Sequence, residues 1–176
     1  LKRMDPSLSV VVFEPDSTYA RSSTVLSDGN VRIQFNLEEN IRISQYAFEV
    51  QEAFADDMET PGYRPEVSAR HQGNLFLTDP AHRDDAVAGM ELQKALGCDV
   101  DWLEREEIVE RWPAFAGPNY AGGTFGPLDG SVDPSAVLRG YRQQAVALGV
   151  EYVETAVAAL VREEGRVTGV RLDTGQ

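Results

Sequence analysis

The chain has 176 residues, 42% of them apolar, and carries 29 acidic against 16 basic side chains for a net charge of −13. That length suffices for one good core or two small ones. The charge argues against a nucleic-acid partner, which needs clustered basic side chains, and no apolar run approaches the roughly 18 residues that span a bilayer. Leu1-Lys2-Arg3-Met4-Asp5 leads into a strand rather than the apolar core of a signal peptide. Lys2 and Lys94 are the only lysines, so arginine supplies nearly all the positive charge. Cys98 is the only cysteine, which rules out an internal disulfide and sets a cytoplasmic location as the expectation. It follows Gly97 at a helix end and reads as a packed structural thiol. His71 and His82 stand apart from any ligand spacing, so no metal site is expected.

Residues 10–13 form a β-branched and aromatic run of the kind found in parallel strands covered on both faces. Pro15 ends it, and 15–35 reads as loop. Asn36 followed by Glu39 has capping-box spacing. The helix after it places Ile43, Ala47, Val50, Phe54 and Met58 on one face, until Pro61-Gly62 stops it. Residues 67–77 read as one or two strands around Gly73-Asn74. Asp79-Pro80 opens a second helix, a cap followed by proline at the first position, and Gly97 closes it. A short strand over 100–103 leads to an acidic helix over 104–112, ended by Pro113, and 121–125 is extended. Asp133-Pro134 starts another helix, with Val137, Leu138, Tyr141, Ala145 and Leu148 facing one way before Gly149. Residues 157–161 and 167–172 alternate around Glu164-Gly165-Arg166, a hairpin. The order is not a simple β-α alternation. A first nucleotide-type block is interrupted by a mixed block and resumes near Asp133, which predicts an α/β protein, α+β overall, with one domain inserted through another.

Certain segments carry more specific information. Leu8-Ser9-Val10-Val11-Val12-Phe13-Glu14 is an apolar strand closing on an acid, and Tyr19-Ala20-Arg21-Ser22-Ser23-Thr24-Val25-Leu26-Ser27-Asp28-Gly29 is a stretch of small and hydroxyl residues. Gly123-Thr124-Phe125-Gly126-Pro127-Leu128-Asp129-Gly130-Ser131-Val132-Asp133-Pro134 leads into a helix of about four turns. Gly149-Val150-Glu151-Tyr152-Val153-Glu154-Thr155-Ala156-Val157 follows it. Together these segments resemble the FAD-binding domain of the D-amino-acid oxidase, glycine oxidase and sarcosine oxidase family. The resemblance implies a partial Rossmann-like FAD-binding domain over 1–66 and 126–176, with part of a mixed-sheet substrate domain inserted over 67–125. It also implies a phosphate-binding glycine loop before Leu8 and a further flavin segment after Gln176. The chain is therefore expected to be an internal segment of a longer flavoenzyme, inactive by itself and open to self-association along an exposed strand edge.

Glu14 is the sharpest single residue. An acid at the end of the second strand of a dinucleotide-binding unit accepts hydrogen bonds from the adenosine ribose hydroxyls. Small side chains let backbone amides approach phosphate oxygens, and hydroxyls act as adaptable donors. The resemblance makes Arg21, Ser22, Ser23, Thr24, Ser27 and Gly29 candidate cofactor contacts, with Arg21 offsetting phosphate charge. The resemblance places Val157 where the family recognises adenine through backbone groups. It places Arg32 where some relatives carry an arginine near the flavin or the substrate carboxylate, a role suited to a planar guanidinium. Phe35 stands where several relatives have a further arginine, and Asp28 and Asn30 replace commoner small residues. The glutamates at 104, 106, 107 and 110 read as a solvated helix face and are given no catalytic role. The expected function is FAD-dependent oxidation of the C–N bond of an amino acid or secondary amine. The alternatives are a flavin-fold scaffold or assembly protein without turnover, and an NAD-linked dehydrogenase, since Glu14 serves either dinucleotide.

Overall fold

The computed structural model describes residues 1–117 and 119–174, so the last two positions of the expected 126–176 segment lie outside the described residues. The fold is mixed α/β, with one parallel sheet and three antiparallel ones. The chain divides into two compact units. The first comprises Leu1–Ser27, Ala55–Glu66 and Pro134–Gln176, and the second Asp28–Phe54 and Val67–Asp133. The stretch Asp28–Phe54 therefore groups with the middle block, whereas the sequence reading kept it with the first. Its loop residues explain the grouping: Ile33 and Gln34 both hydrogen-bond to Asp129, about a hundred positions away along the chain.

In the first unit, β1 (Val11–Phe13) pairs in parallel with β8 (Glu151–Val153), in the register Val11 to Glu151, Val12 to Tyr152 and Phe13 to Val153. Val11 is 39% exposed, so the strand is not covered on both faces in this chain. The helix α4 (Pro134–Ala147) precedes β8. Its stop is built by Gly149 at φ +80°, with the Gly149 amide donating to the Val146 carbonyl and the Val150 amide to the Ala145 carbonyl. Those two bonds satisfy carbonyls the helix end would otherwise orphan, and glycine takes the left-handed backbone without a Cβ penalty. Ala136 and Gly140 are its buried residues, while Tyr141 is 48% exposed, so the apolar face expected from the sequence is rotated. Beyond β8, β9 (Val157–Glu163) and β10 (Arg166–Leu172) form an antiparallel hairpin turning at Glu164-Gly165, as the alternation predicts.

In the second unit, α1 (Glu38–Asp57) supplies its segment up to Phe54. Its buried residues are Ile41 and Phe54, whereas Ile43 is 65% exposed, so the predicted apolar face through Ile43, Ala47 and Val50 is wrong over the first turns. The helix carries two apolar stripes, and only packing decides which one is buried: Ile41 joins Ile33, Met90, Cys98 and Val100. The sheet order is β4 (Asn74–Thr78), β6 (Gly122–Gly126), β5 (Asp101–Glu104), all antiparallel. Glycines in β6 make that order possible, because an added Cβ at Gly123 would lie 2.7 Å from the Phe76 carbonyl oxygen. A smaller sheet takes the order β2 (Asn30–Val31), β7 (Gly130–Ser131), β3 (Arg70–His71). The turn at Gly73 thus separates strands of two different sheets. A single 3-10 turn, Pro80–His82, capped by the Asp79 carboxylate at 2.8 Å from the Ala81 amide, feeds α2 (Arg83–Ala95). The acidic helix α3 (Arg105–Arg111) begins with a capping box between Glu104 and Glu107, and Glu104 also pairs with Arg83 at 2.5 Å. Both glutamates are thereby accounted for as structural groups.

Candidate functional site

The ladder of β1 and β8 continues one bond past the strand, with the Glu14 amide donating to the Val153 carbonyl at 3.0 Å. Glu14 therefore sits at the carboxyl edge of two parallel strands, where open α/β sheets bind their ligands. Its Oε1 accepts from the Asp16 amide at 3.0 Å, which fixes the carboxylate through one oxygen. The loop beyond is organised by its own polar groups. Asp16 accepts from the hydroxyl and amide of Thr18, and these bonds, the hydroxyl first, hold its carboxyl below the usual aspartate value. The Ser22 hydroxyl accepts from the Val25 amide at 3.2 Å, and the Thr24 carbonyl from the Ser27 amide. Ser22 and Thr24 are half-buried, whereas Arg21, Ser23 and Ser27 are exposed. Val157 opens β9 opposite Leu172 with its side chain exposed. Glu14 and Val157 lie on different sheets of the first unit.

The other two candidates belong to the second unit. Gly29 is buried at φ +70°, and its carbonyl accepts from the Val132 amide at 3.0 Å. The Arg32 guanidinium lies 4.8 Å from the ring centre of Phe35 and 5.3 Å from that of Phe76. The two phenyl rings hold the guanidinium plane by cation–π attraction while leaving its N–H donors available. Among the described residues no carboxylate forms a salt bridge with it. Arg32, Phe35, Ser44, Phe48 and Gln51 line a cavity of about 370 Å³. Phe35 thus serves as one face of the Arg32 clamp.

Sequence reasoning missed Asp129. Its side chain is fully buried, accepting from the Ile33 amide at 2.8 Å through Oδ1 and from Gln34 Nε2 at 2.8 Å through Oδ2. Burial pushes its carboxyl above the ordinary aspartate value, opposed by those hydrogen bonds and by the charge of Arg32. A Pro-Leu-Asp-Gly sequence signals an exposed turn, so nothing in it marked the aspartate as buried. Cys98 is the packed thiol expected: it is buried, and burial raises its pKa.

The fold and the strand-end acid define a class, and comparison with known proteins gives the family. A family model described as FAD dependent oxidoreductase (DAO) matches residues 1–176. The chain belongs to the DAO family of FAD-dependent oxidoreductases. It is 26% identical over 163 residues to FAD-dependent oxidoreductase domain-containing protein 1 of Bos taurus, covering 92% of this chain and 34% of that protein. Glycine oxidase from Geobacillus kaustophilus superposes with a TM-score of 0.75 at 20% identity, over 95% of this chain and 45% of that one. L-proline dehydrogenase from P. horikoshii gives a TM-score of 0.72 at 20% identity, over 95% and 49%. The chain spans about a third of the length of the curated relatives it matches. Among the described residues no helix is long and apolar enough to cross a membrane.

Proposed function

We propose that the protein containing this chain oxidises the C–N bond of an amino acid or secondary amine, with FAD as its cofactor. The observation that carries the reading is the parallel pairing of β1 with β8, which sets Glu14 at the carboxyl edge of the sheet. One carboxylate oxygen of Glu14 is engaged within the loop, and the other remains for the ribose hydroxyls of a dinucleotide. The chemistry of the residues fits FAD at that end: a carboxylate oxygen to accept from ribose, then a loop of small and hydroxyl residues with Arg21 exposed beside it. Val157 offers backbone groups to adenine. The domain division follows the same reading, with the first unit as part of the cofactor domain and the second as part of the substrate domain.

When bound, FAD supplies a two-electron acceptor for the hydrogen on the carbon beside nitrogen, leaving an imine that water hydrolyses. This chain's own residues bind and orient. Arg32 meets a substrate carboxylate through paired N–H donors, its plane fixed by Phe35 and Phe76. Val31, Ala47 and Phe48 give its cavity apolar walls that limit water around the charge pair. The names of the structural neighbours, glycine oxidase and L-proline dehydrogenase, accord with an amino-acid substrate.

The test uses the full-length protein with its flavin. Arg32→Met keeps most of the apolar stem and removes the charge, so KM for an amino acid rises and kcat/KM falls with FAD still bound. Arg32→Lys rescues only in part, because an ammonium lacks the planar fork. Near-wild-type kinetics of Arg32→Met on an amino acid would move the carboxylate anchor elsewhere. Bound flavin without turnover on a panel of amino acids and N-methyl amines would favour a scaffold, and a colourless protein that binds NAD would favour a dehydrogenase.

A further inference from the structure

A second polar cavity, of about 260 Å³, opens in the first unit between the loop after β1 and the first half of α4. It is lined by Ser17, Thr18 and Tyr19 from the loop, and by Ser135, Arg139 and Arg142 from the helix. None of the residues proposed for FAD lines it, and no acidic side chain does. In a protein of net charge −13, a cavity lined by two arginines and no carboxylate is a local reversal of sign. Neither arginine forms a salt bridge among the described residues, although other arginines of the chain, Arg3, Arg42, Arg64 and Arg83, are paired with acids.

Arg142 is also held in place. Its guanidinium lies 5.5 Å from the ring centre of Tyr19 and 5.5 Å from that of Tyr152, so two aromatic rings from different elements position one cation. Tyr19 takes this place with φ +56°, a left-handed conformation that is strained for a bulky residue. The turn that imposes it is built by two backbone bonds, from the Tyr19 amide to the Asp16 carbonyl and from the Ser22 amide to the Tyr19 carbonyl. A cation clamped between two rings has lost much of its rotamer freedom before any ligand arrives, which lowers the cost of binding an anion.

We propose that this cavity is a binding site for a small phosphate monoester or inorganic phosphate, separate from the cofactor site. Two arginine forks and the hydroxyl of Ser17 present more donors than the two oxygens of a carboxylate can use, the Thr18 hydroxyl being engaged by Asp16. A tetrahedral dianion has the oxygens to accept from both forks and a hydroxyl together. The volume lies just below the roughly 300–1,000 Å³ of pockets for drug-sized ligands, which suits a phosphoryl group on a small organic stem. Arg142 is the anchor, and Arg139, the more exposed of the two, closes over the outer oxygens.

The experiment is calorimetric titration of this chain with inorganic phosphate, glycerol phosphate and acetate, at low and at physiological salt. Saturable phosphate binding is expected, weakened at least about tenfold by Arg142→Met and less by Arg142→Lys, because one charge-assisted contact set is lost or blunted. Arg139→Gln weakens it by a smaller factor, and Arg166→Gln, on the β9–β10 hairpin, leaves it unchanged. Circular dichroism verifies that each variant is folded, and Arg139→Gln, at an exposed position, tests the site should Arg142→Met fail to fold. Binding that ignores both pocket arginines, or no saturation up to about 10 mM phosphate, overturns the site. Acetate bound as tightly as phosphate overturns the assignment of a tetrahedral dianion. Phosphate displaced by FAD in the full-length protein would make this a cofactor subsite and end the claim of a separate one.

Discussion

The two units are held together by different means. The second gathers Ile33, Ile41, Met90, Cys98 and Val100 into one cluster and Leu103, Ile108 and Tyr120 into another, with the buried Asp129 joining distant loops. The first buries Met58 and Ala136 and leaves Val157, Leu160, Val161 and Val167 of its hairpin exposed. Its order comes from the β1–β8 ladder, the Schellman stop of α4 and the turns of the loop after Glu14. A scaffold built on buried, non-local contacts is the stiffer of the two, while one built on backbone bonds and turns opens locally at lower cost. The contrast suits the proposed division, in which the first unit would supply backbone amides to a cofactor and the second would fix a substrate-binding cation.

The sharpest way to break the comparison is to remove Asp129. Asp129→Ala leaves the Ile33 amide and the Gln34 side chain without their acceptor, so urea unfolding should show a loss of about 3–5 kcal/mol. A loss below about 1 kcal/mol would mean the second unit does not depend on its buried polar hub. Next in size is Gly130→Ala. The added Cβ would collide with the Arg70 carbonyl oxygen across the β3–β7 pairing, a backbone contact that cannot turn aside. A destabilisation of about 1–3 kcal/mol is expected, and a crystal structure should show β3 displaced.

The first unit is tested through its ligand. Glu14→Ala in the full-length protein should weaken FAD retention by about 1.5–3 kcal/mol, roughly tenfold to a hundredfold, without altering substrate preference. Unchanged FAD affinity in a folded variant would return Glu14 to the role of a strand-end surface acid. The smallest effect belongs to the hairpin. Gly165→Ala forces a Cβ into φ +80°, where no atom lies within 4 Å, so strain alone is introduced and about 1–2 kcal/mol should be lost.

A pH series sharpens the same contrast. The folded-state pKa of Asp129 is raised, chiefly by burial. Between its unfolded and folded pKa values the native state therefore binds more protons than the unfolded state. Stability contributed by this group is present at low pH and is lost as pH rises through the folded value. Wild type should accordingly lose ground to Asp129→Asn as pH rises through and above the ordinary aspartate range. A gain instead would show that the hydrogen bonds from Gln34 and Ile33 outweigh burial.

Helix stops, caps and local strands could be read before the fold was known. Asp79-Pro80, Gly97, Asp133-Pro134 and Gly149 mark real boundaries, because each acts through the few backbone groups beside it. The same holds for the hairpin at Glu164-Gly165. Of the candidate site, Glu14 lies at the end of its strand, and Arg32, clamped by two rings, forms no salt bridge among the described residues. The aromatic clamp was invisible because Phe35 and Phe76 lie 41 positions apart and their meeting depends on β4.

What the sequence determined by itself is where elements begin and end and which strand carries the acid, since capping, proline geometry and left-handed glycines are local effects. Only the tertiary structure decided which stripe of α1 is buried, that the segment 28–54 belongs with the middle block, and that Asp129 is buried. Each of those outcomes depends on free energy exchanged between residues far apart in the chain. For Ile41 against Ile43 both choices satisfy helical periodicity, and the apolar cluster of Ile33, Met90 and Val100 buries Ile41. For Asp129 the cost of burying a carboxylate is offset in part by a backbone amide and a glutamine some 95 positions away, partners that no local pattern around Pro127-Leu128-Asp129-Gly130 announces.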